Sequence, residues 1–393
     1  MSFPFGADAF IPDPETSFTA SGELISIIMP RPSDFHNHFR LGALRQAITP
    51  AVSWPYKHVL AMPNTGNKAD GTNHIYTLAD AKHYRKEVLA ILADAGITTT
   101  NIVMTIYLSP ETTVEMIEEI ADYEFPVAVK AYPPNATTGS GEAVSLLDRI
   151  DILKVMARLG VRLLIHGEST HDLDGNQLAH KDREGYFYTH VYPKIRKEVP
   201  DLLICLEHIT TAIAVGIVKA DTSGRTVCTI TPQHGLFDVS VFDEVWGGVH
   251  ARCMPYPKTK LDVIAVRTFM TSGDPRVILG TDCAPHVESA KNKPFEEAAC
   301  GCYTPHAMAM YAQIFYECNA LDSRFVRFAC TNGPDWWGLD CPEWDDTIEL
   351  RAVANGVPEP TPVPELNEVV IPLGWTLDPA TRMPLHIETV PSI

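Results

Sequence analysis

A (β/α)8 TIM barrel with a C-terminal extension packed on it is the α/β architecture the sequence predicts. Three observations predict it. Eight short apolar runs recur along the chain, longer helical patterns separate them, and side chains with chemistry to offer crowd at one end of the runs. The chain has 393 residues, 45% of them hydrophobic and 20% charged, which suffices for a sizeable core.

The candidate strands lie at 34–39, 58–63 (HVLAMP), 101–108 (NIVMTIYL), 126–132 (PVAVKAY), 161–167 (VRLLIHG), 202–209 (LLICLEHI), 226–232 (TVCTITP) and 276–282 (RVILGTD). They are continuously apolar rather than alternating, the pattern of strands buried on both faces. Helical spacing fills 76–95, 111–123, 143–159, 258–272 and 304–320. Pro110-Glu111 and Ser145 stand where helices should start, and Gly96, Gly160 and Gly273 where they should stop. Eight strands with helices between them fit a closed barrel better than an open doubly wound sheet. No Gly-rich dinucleotide fingerprint follows the first strand, which weakens the Rossmann alternative. The first 25 or so residues read as an arm or a strand beside the barrel. Past about 321 the pattern changes and prolines crowd 357–364. Residues 1–340 are expected to form the barrel domain with its arm, and 341–393 its C-terminal extension.

The formal net charge is −18, and no Lys/Arg run exceeds two, so no basic stripe offers itself to nucleic acid. The first basic residue is Arg31, unlike the charged start of a signal peptide. No apolar run nears the roughly 18 residues that a membrane helix needs. Nine scattered cysteines do not read as a disulfide framework; they suggest a reducing, cytoplasmic compartment. Cys300-Gly-Cys302 lacks the second pair of a zinc site.

A barrel concentrates its chemistry at the C-terminal ends of its strands. There the first run carries His36, His38 and Arg40, the fourth Lys130, the fifth His166, the sixth His208 and the eighth Asp282. A lone histidine at a strand end is usually structural, and an Asp after LGT can be a helix cap. Together the bland readings fail, because one rim collects all of them. Lys130 inside VAVKAY is the oddest, since burying an ammonium costs several kcal/mol unless it is paired or discharged. Residues two apart on a strand share a side, so His36 and His38 can grip one ion. His166 and His208, from neighbouring strands, can grip another. Imidazole with carboxylate suits zinc first, with manganese, cobalt or iron possible. Two dications about 3.5–4 Å apart need an anionic bridge, which a protonated lysine cannot supply.

This constellation resembles the amidohydrolase superfamily. The stretches DFHNHFR, AMPNT, VKAYPPNATT, LLIHGE, LEHITT, ITPQH and LGTDCAPH look more specifically like the dihydroorotases of the shorter, single-function type. They run in family order from about residue 30 to 290, and CGCYTPHAMAMYAQIFYECNAL with TNGPDWWGL carry the likeness to about 338. The resemblance implies reversible cyclisation of N-carbamoyl-L-aspartate to L-dihydroorotate, a step of pyrimidine biosynthesis. It implies two zinc ions per subunit, bridged by carboxylated Lys130 and a hydroxide. His36, His38 and Asp282 would hold one ion and His166 and His208 the other, with Asp282 also the proton carrier. Arg40, Asn64 and His286 would anchor the substrate carboxylate, Met254 and Tyr303 would supply ring contacts, and Thr137 and Thr138 would sit on a mobile loop. A homodimer is expected on the same ground. Leu41, Asn37, Pro133-Pro134 and the insert Lys291-Asn-Lys-Pro depart from the family pattern without removing a ligand. Two other readings are a cyclic amidohydrolase of hydantoinase, dihydropyrimidinase or allantoinase type and a catalytically silent scaffold. Arg40 with Asn64 argues for a carboxylate-bearing ring against the first, and the full ligand set argues against the second.

Overall fold

The computed structural model describes residues 11–22, 24–66, 72–243, 248–352, 359–374 and, as backbone, 387–391. Eight parallel strands form its centre: β3 (Asp34–Asn37), β4 (His58–Ala61), β5 (Asn101–Tyr107), β6 (Val127–Ala131), β7 (Leu163–His166), β8 (Ile204–Glu207), β9 (Thr226–Ile230) and β10 (Val277–Leu279). They are ordered around the sheet as along the chain. The seam between β10 and β3 is closed just past the strands, where Asp282 N donates to His36 O at 2.9 Å and His38 N to Cys283 O at 3.0 Å. Buried Asp34 sews the same seam, accepting from Thr281 N at 2.8 Å and Thr281 Oγ1 at 2.7 Å.

Every expected strand is present, and each ends earlier than the apolar run suggests. The ladder stops because the next residues turn toward the rim. Arg40, His208 and Asp282 have φ of 61°, 42° and 47°. Non-glycine residues pay about 1–3 kcal/mol for such backbone, and it persists where the surroundings enforce it. Strand alternation sorts the interior into layers. Phe35, Leu60, Val103, Ala128, Leu164, Cys205, Val227, Ile278, Trp336 and Trp337 form an apolar cluster. Two residues further along the same strands stand Thr105, Lys130, His166, Glu207 and Thr229, all buried. A polar layer thus rests on an apolar floor.

The expected helices are also present: α2 (Leu78–Asp94), α3 (Val114–Ala121), α4 (Ile150–Leu159), α9 (Lys260–Met270) and α11 (Ala307–Glu317). Thr77 with Asp80 and Thr259 with Asp262 form capping boxes for α2 and α9, and Gly160 ends α4 at φ 72°. The buried stripe Ala81, Tyr84, Val88, Ile91 and Leu92 of α2 has helical spacing. Each large member stabilises by about 1.5–3 kcal/mol. Further regions among the described residues are helical that the spacing did not announce. They include α1 (Gly42–Ser53), the pair α5 (His180–Tyr186) and α6 (Tyr192–Glu198), and α7 (Ala212–Ala220). Leu41 gives α1 no side-chain cap, and Pro50 lies inside it. A π-turn at Phe187–Val191 breaks the period between α5 and α6.

Outside the barrel, β1 (Glu15–Phe18), β2 (Leu24–Pro30), β11 (Thr347–Ala352) and β14 (Ile387–Pro391) form an antiparallel sheet in the order β1-β2-β11-β14. The N-terminal arm is therefore a strand paired with chain from beyond residue 340. A small hairpin of β12 (Thr361–Val363) and β13 (Glu368–Val370) adds Val363 and Val370 to the main core.

Candidate metal centre

His36 and His38 leave β3 facing Asp282. Its Oδ1 lies 3.3 Å from His36 Nε2 and 3.1 Å from His38 Nε2. These three buried side chains offer donor atoms within 4.8 Å of one another, close enough to hold one ion. His208 and His166 continue the cluster. The His36 and His208 rings are 5.1 Å apart and those of His208 and His166 4.5 Å. Gly280 makes room at the seam, since a Cβ there would stand 2.8 Å from Thr229 and 3.1 Å from His36 Cβ.

Burial pulls the imidazole of His38 down to about 3, and lowers His166 and His208 as well. Burial also works to raise Asp282, but the charge and hydrogen bonds of His36 and His38 overcome it and leave the carboxyl well below its usual range. Burial also works to lower His36, but the charges of Glu207 and Asp282 overcome it and raise its pKa. Three neutral imidazoles beside an ionised carboxylate suit a dication, which would displace the proton of His36 on binding. Lys130 is fully buried, and its Nζ has no hydrogen-bond partner. Burial lowers its pKa against the opposing pull of Glu207 and Asp282. An amine without a hydrogen bond beside orphaned His208 Nδ1 is an unfinished polar network, as expected where a ligand binds.

Two carboxylates that the sequence reading missed hold His36 and His166 in place. Glu207 Oε2 accepts from His36 Nδ1 and stands 3.9 Å from Lys130 Nζ, and Thr229 Oγ1 donates to it at 3.3 Å. Glu168 Oε2 pairs with His166 Nε2 at 2.7 Å. Each fixes a ring's tautomer and leaves its other nitrogen for an ion. The signal was visible: Glu207 interrupts an apolar strand as Lys130 does, and Glu168 stands two residues after His166.

The centre floors an open cleft whose lining includes Arg40, Asn64, Tyr132, Thr137, Thr138, Met254 and Gly301. Arg40 is buried, with Nε on Pro285 O at 2.9 Å and Nη2 3.0 Å from His286 Nε2. Tyr84 Oη donates to Arg40 O at 2.6 Å and so holds its left-handed backbone. Asn64 donates to Thr138 O at 3.0 Å. Tyr303 stands apart from this lining. Its hydroxyl pairs with Thr361 Oγ1 at 2.7 Å, and the neighbouring Cys300 and Gly301 face the cavity instead. Asn37 turns away to donate to Asp34 Oδ2 at 2.9 Å, so the unusual residue between the histidines serves the barrel seam.

No family model matches the chain. The dihydroorotase of Halorhodospira halophila is 39% identical over 355 residues, covering 88% of this chain and 96% of that protein. The dihydroorotase of Rhizobium etli is 34% identical over 364 residues, with coverages of 89% and 98%. Among solved structures, the dihydroorotase of Saccharomyces cerevisiae in complex with 5-fluoroorotic acid superposes with a TM-score of 0.78 at 24% identity, covering 94% of this chain and all of that one. An L-hydantoinase of Arthrobacter aurescens gives 0.66 at 15% identity, covering 84% and 77%.

Proposed function

The chain belongs to the dihydroorotase family, and on that premise we propose that it interconverts N-carbamoyl-L-aspartate and L-dihydroorotate at a pair of zinc ions. The enzyme is a metal-dependent cyclic amide hydrolase acting on a small molecule. His36, His38 and Asp282 would hold one ion and His166 and His208 the other, with Lys130 carboxylated on Nζ as the anionic bridge. Burial lowers the pKa of this amine, which has no hydrogen-bond partner, and its deprotonated form can add CO2 and lose a proton to give the anionic carbamate such a bridge needs. When bound, the metals acidify water to a pKa of about 7 and polarise the amide carbonyl.

The chain's own residues do the rest. Arg40, fixed by Pro285 O and His286, presents a planar cation to the substrate carboxylate, and Asn64 supplies a further donor. Asp282 is ionised, faces the cavity and accepts the proton of the attacking water. It returns that proton to the ring nitrogen as the amide opens, and ring closure reverses both transfers. Thr137 and Thr138 stand over the cavity and limit water, which favours the cyclic product.

The observation that carries this reading is Lys130, fully buried beside the imidazoles, with no hydrogen bond to its Nζ and Glu207 only at 3.9 Å. All nine cysteines are free thiols, which supports a reducing, cytoplasmic setting for a step in pyrimidine biosynthesis. No helix among the described residues is long and apolar enough to cross a membrane. The test is ring closure of N-carbamoyl-L-aspartate by chelator-stripped protein. Activity should return with two equivalents of zinc per chain, while hydantoin and dihydrouracil stay poor substrates. Recovery with one equivalent, or preference for an uncharged ring, would contradict the proposal.

A further inference from the structure

We propose that Tyr107 is a positioning residue for this reaction, its hydroxyl holding the 133–140 loop closed over the metal centre. The inference rests on the reading above of Thr137 and Thr138 as residues that close over substrate. Tyr107 lies on β5, outside the cavity lining. Its ring is stacked on His74 at 4.6 Å with an interplanar angle of 3°, and on Tyr132 at 5.2 Å and 27°. That column fixes the phenol, and its hydroxyl donates to Gly139 O at 3.1 Å.

The loop is shaped to meet it. Gly139 has φ 72°, and a Cβ there would stand 3.0 Å from His74 Cε1 and 3.3 Å from Asn64 Cβ. Only glycine lets the backbone seat this closely at that angle. Within the loop, Ser140 N donates to Thr137 O and Thr137 N to Ser140 Oγ, so the tip is a self-bonded turn that can move as one piece. Its ties to the barrel include Gly139 O on Tyr107 and Thr138 O on Asn64.

Asn64 links this seat to the substrate. Tyr132 Oη donates to its Oδ1 at 2.8 Å, which orients the amide so that Nδ2 faces Thr138 O. An amide nitrogen carries two protons, and one remains for the carboxylate assigned to Asn64 above. Loop closure and carboxylate binding therefore share one side chain, and each strengthens the other by the same factor.

Tyr107→Phe keeps the stack and removes the hydroxyl. One lost neutral hydrogen bond should lower the closing equilibrium constant about three- to tenfold. Backbone hydrogen exchange at residues 136–140 of the metal-loaded protein should quicken by that factor. kcat/KM for ring opening should fall alike, with zinc content and melting temperature unchanged. Gly139→Ala, which crowds the seat from the loop side, should quicken exchange further. Wild-type exchange in both variants would overturn the proposal, and so would faster exchange with unaltered turnover. Absence of dihydroorotase activity in the parent protein would instead sink the functional reading, while the exchange measurement would still report the latch.

Discussion

Lys130 is the side chain on which the proposed bridge rests. Burial lowers the pKa of its amine, opposed by Glu207 and Asp282. Lys130→Ala should retain at most one tightly held zinc and lose several kcal/mol of transition-state stabilisation, a fall of about a thousandfold or more in kcat. Metal analysis beside a turnover assay checks both, and full activity with two zincs would exclude the bridge. Arg40 has a different proposed role, its guanidinium meeting substrate rather than metal. Arg40→Met should raise KM about ten- to a hundredfold, the worth of a charge-assisted hydrogen bond, with little change in the denaturation midpoint. An unchanged KM would remove Arg40 from the carboxylate anchor.

At the level of elements, strand ends matter more than strands. The four-residue β3 and three-residue β10 deliver His36 and lead into Asp282, and Asp34 ties them together. Thr281→Val removes the hydroxyl that donates to Asp34 Oδ2 and leaves a buried carboxylate short of a partner. The expected cost is about 1.5–3 kcal/mol of stability, with weaker retention of the first metal, read by urea titration and chelator competition. A silent substitution would show that the seam is held elsewhere. The sequence made these elements legible unevenly. The eight runs and the rim residues His36, His38, Lys130, His166, His208 and Asp282 could be read because buried parallel strands are continuously apolar and a polar interruption stands out. α1, α5 and α6 could not, for want of side-chain caps and an unbroken period, and α7, though capped by Thr211, has in AIAVGIVKA hardly any polar face to mark the period. Glu207 was overlooked because its partner His36 is 171 residues away, a contact that spacing does not announce, and Glu168 although it stands two residues from His166.

The whole molecule adds a pH dependence of its own. Buried His234 and His306 are each held down to about 4, chiefly by burial, from an ordinary 6.5. The unfolded chain then binds more protons than the folded one between pH 6.5 and about 4, so stability is lost as pH falls through that window. Each histidine contributes on the order of 3 kcal/mol. Asp34 acts in the opposite sense, because burial raises it to about 6 and the folded state gains a proton first. Two histidines against one aspartate leave a net decline. Urea midpoints of metal-free protein should drop from pH 7 to 5, and His306→Gln should shallow the slope. A midpoint that rises on acidification would contradict this. The sheet that joins β2 to β11 and β14 spans the chain from residue 24 to 391, so both ends close the same layer beside the barrel.

Everything functional here depends on whether two ions and a modified lysine share the rim. Diffraction from zinc-loaded crystals at the zinc absorption edge reads this directly. Two anomalous peaks should appear, one within reach of His36, His38 and Asp282 and one of His166 and His208, with carboxylate density on Lys130 Nζ between them. A single peak, or a bare Lys130 beside two, would contradict the account.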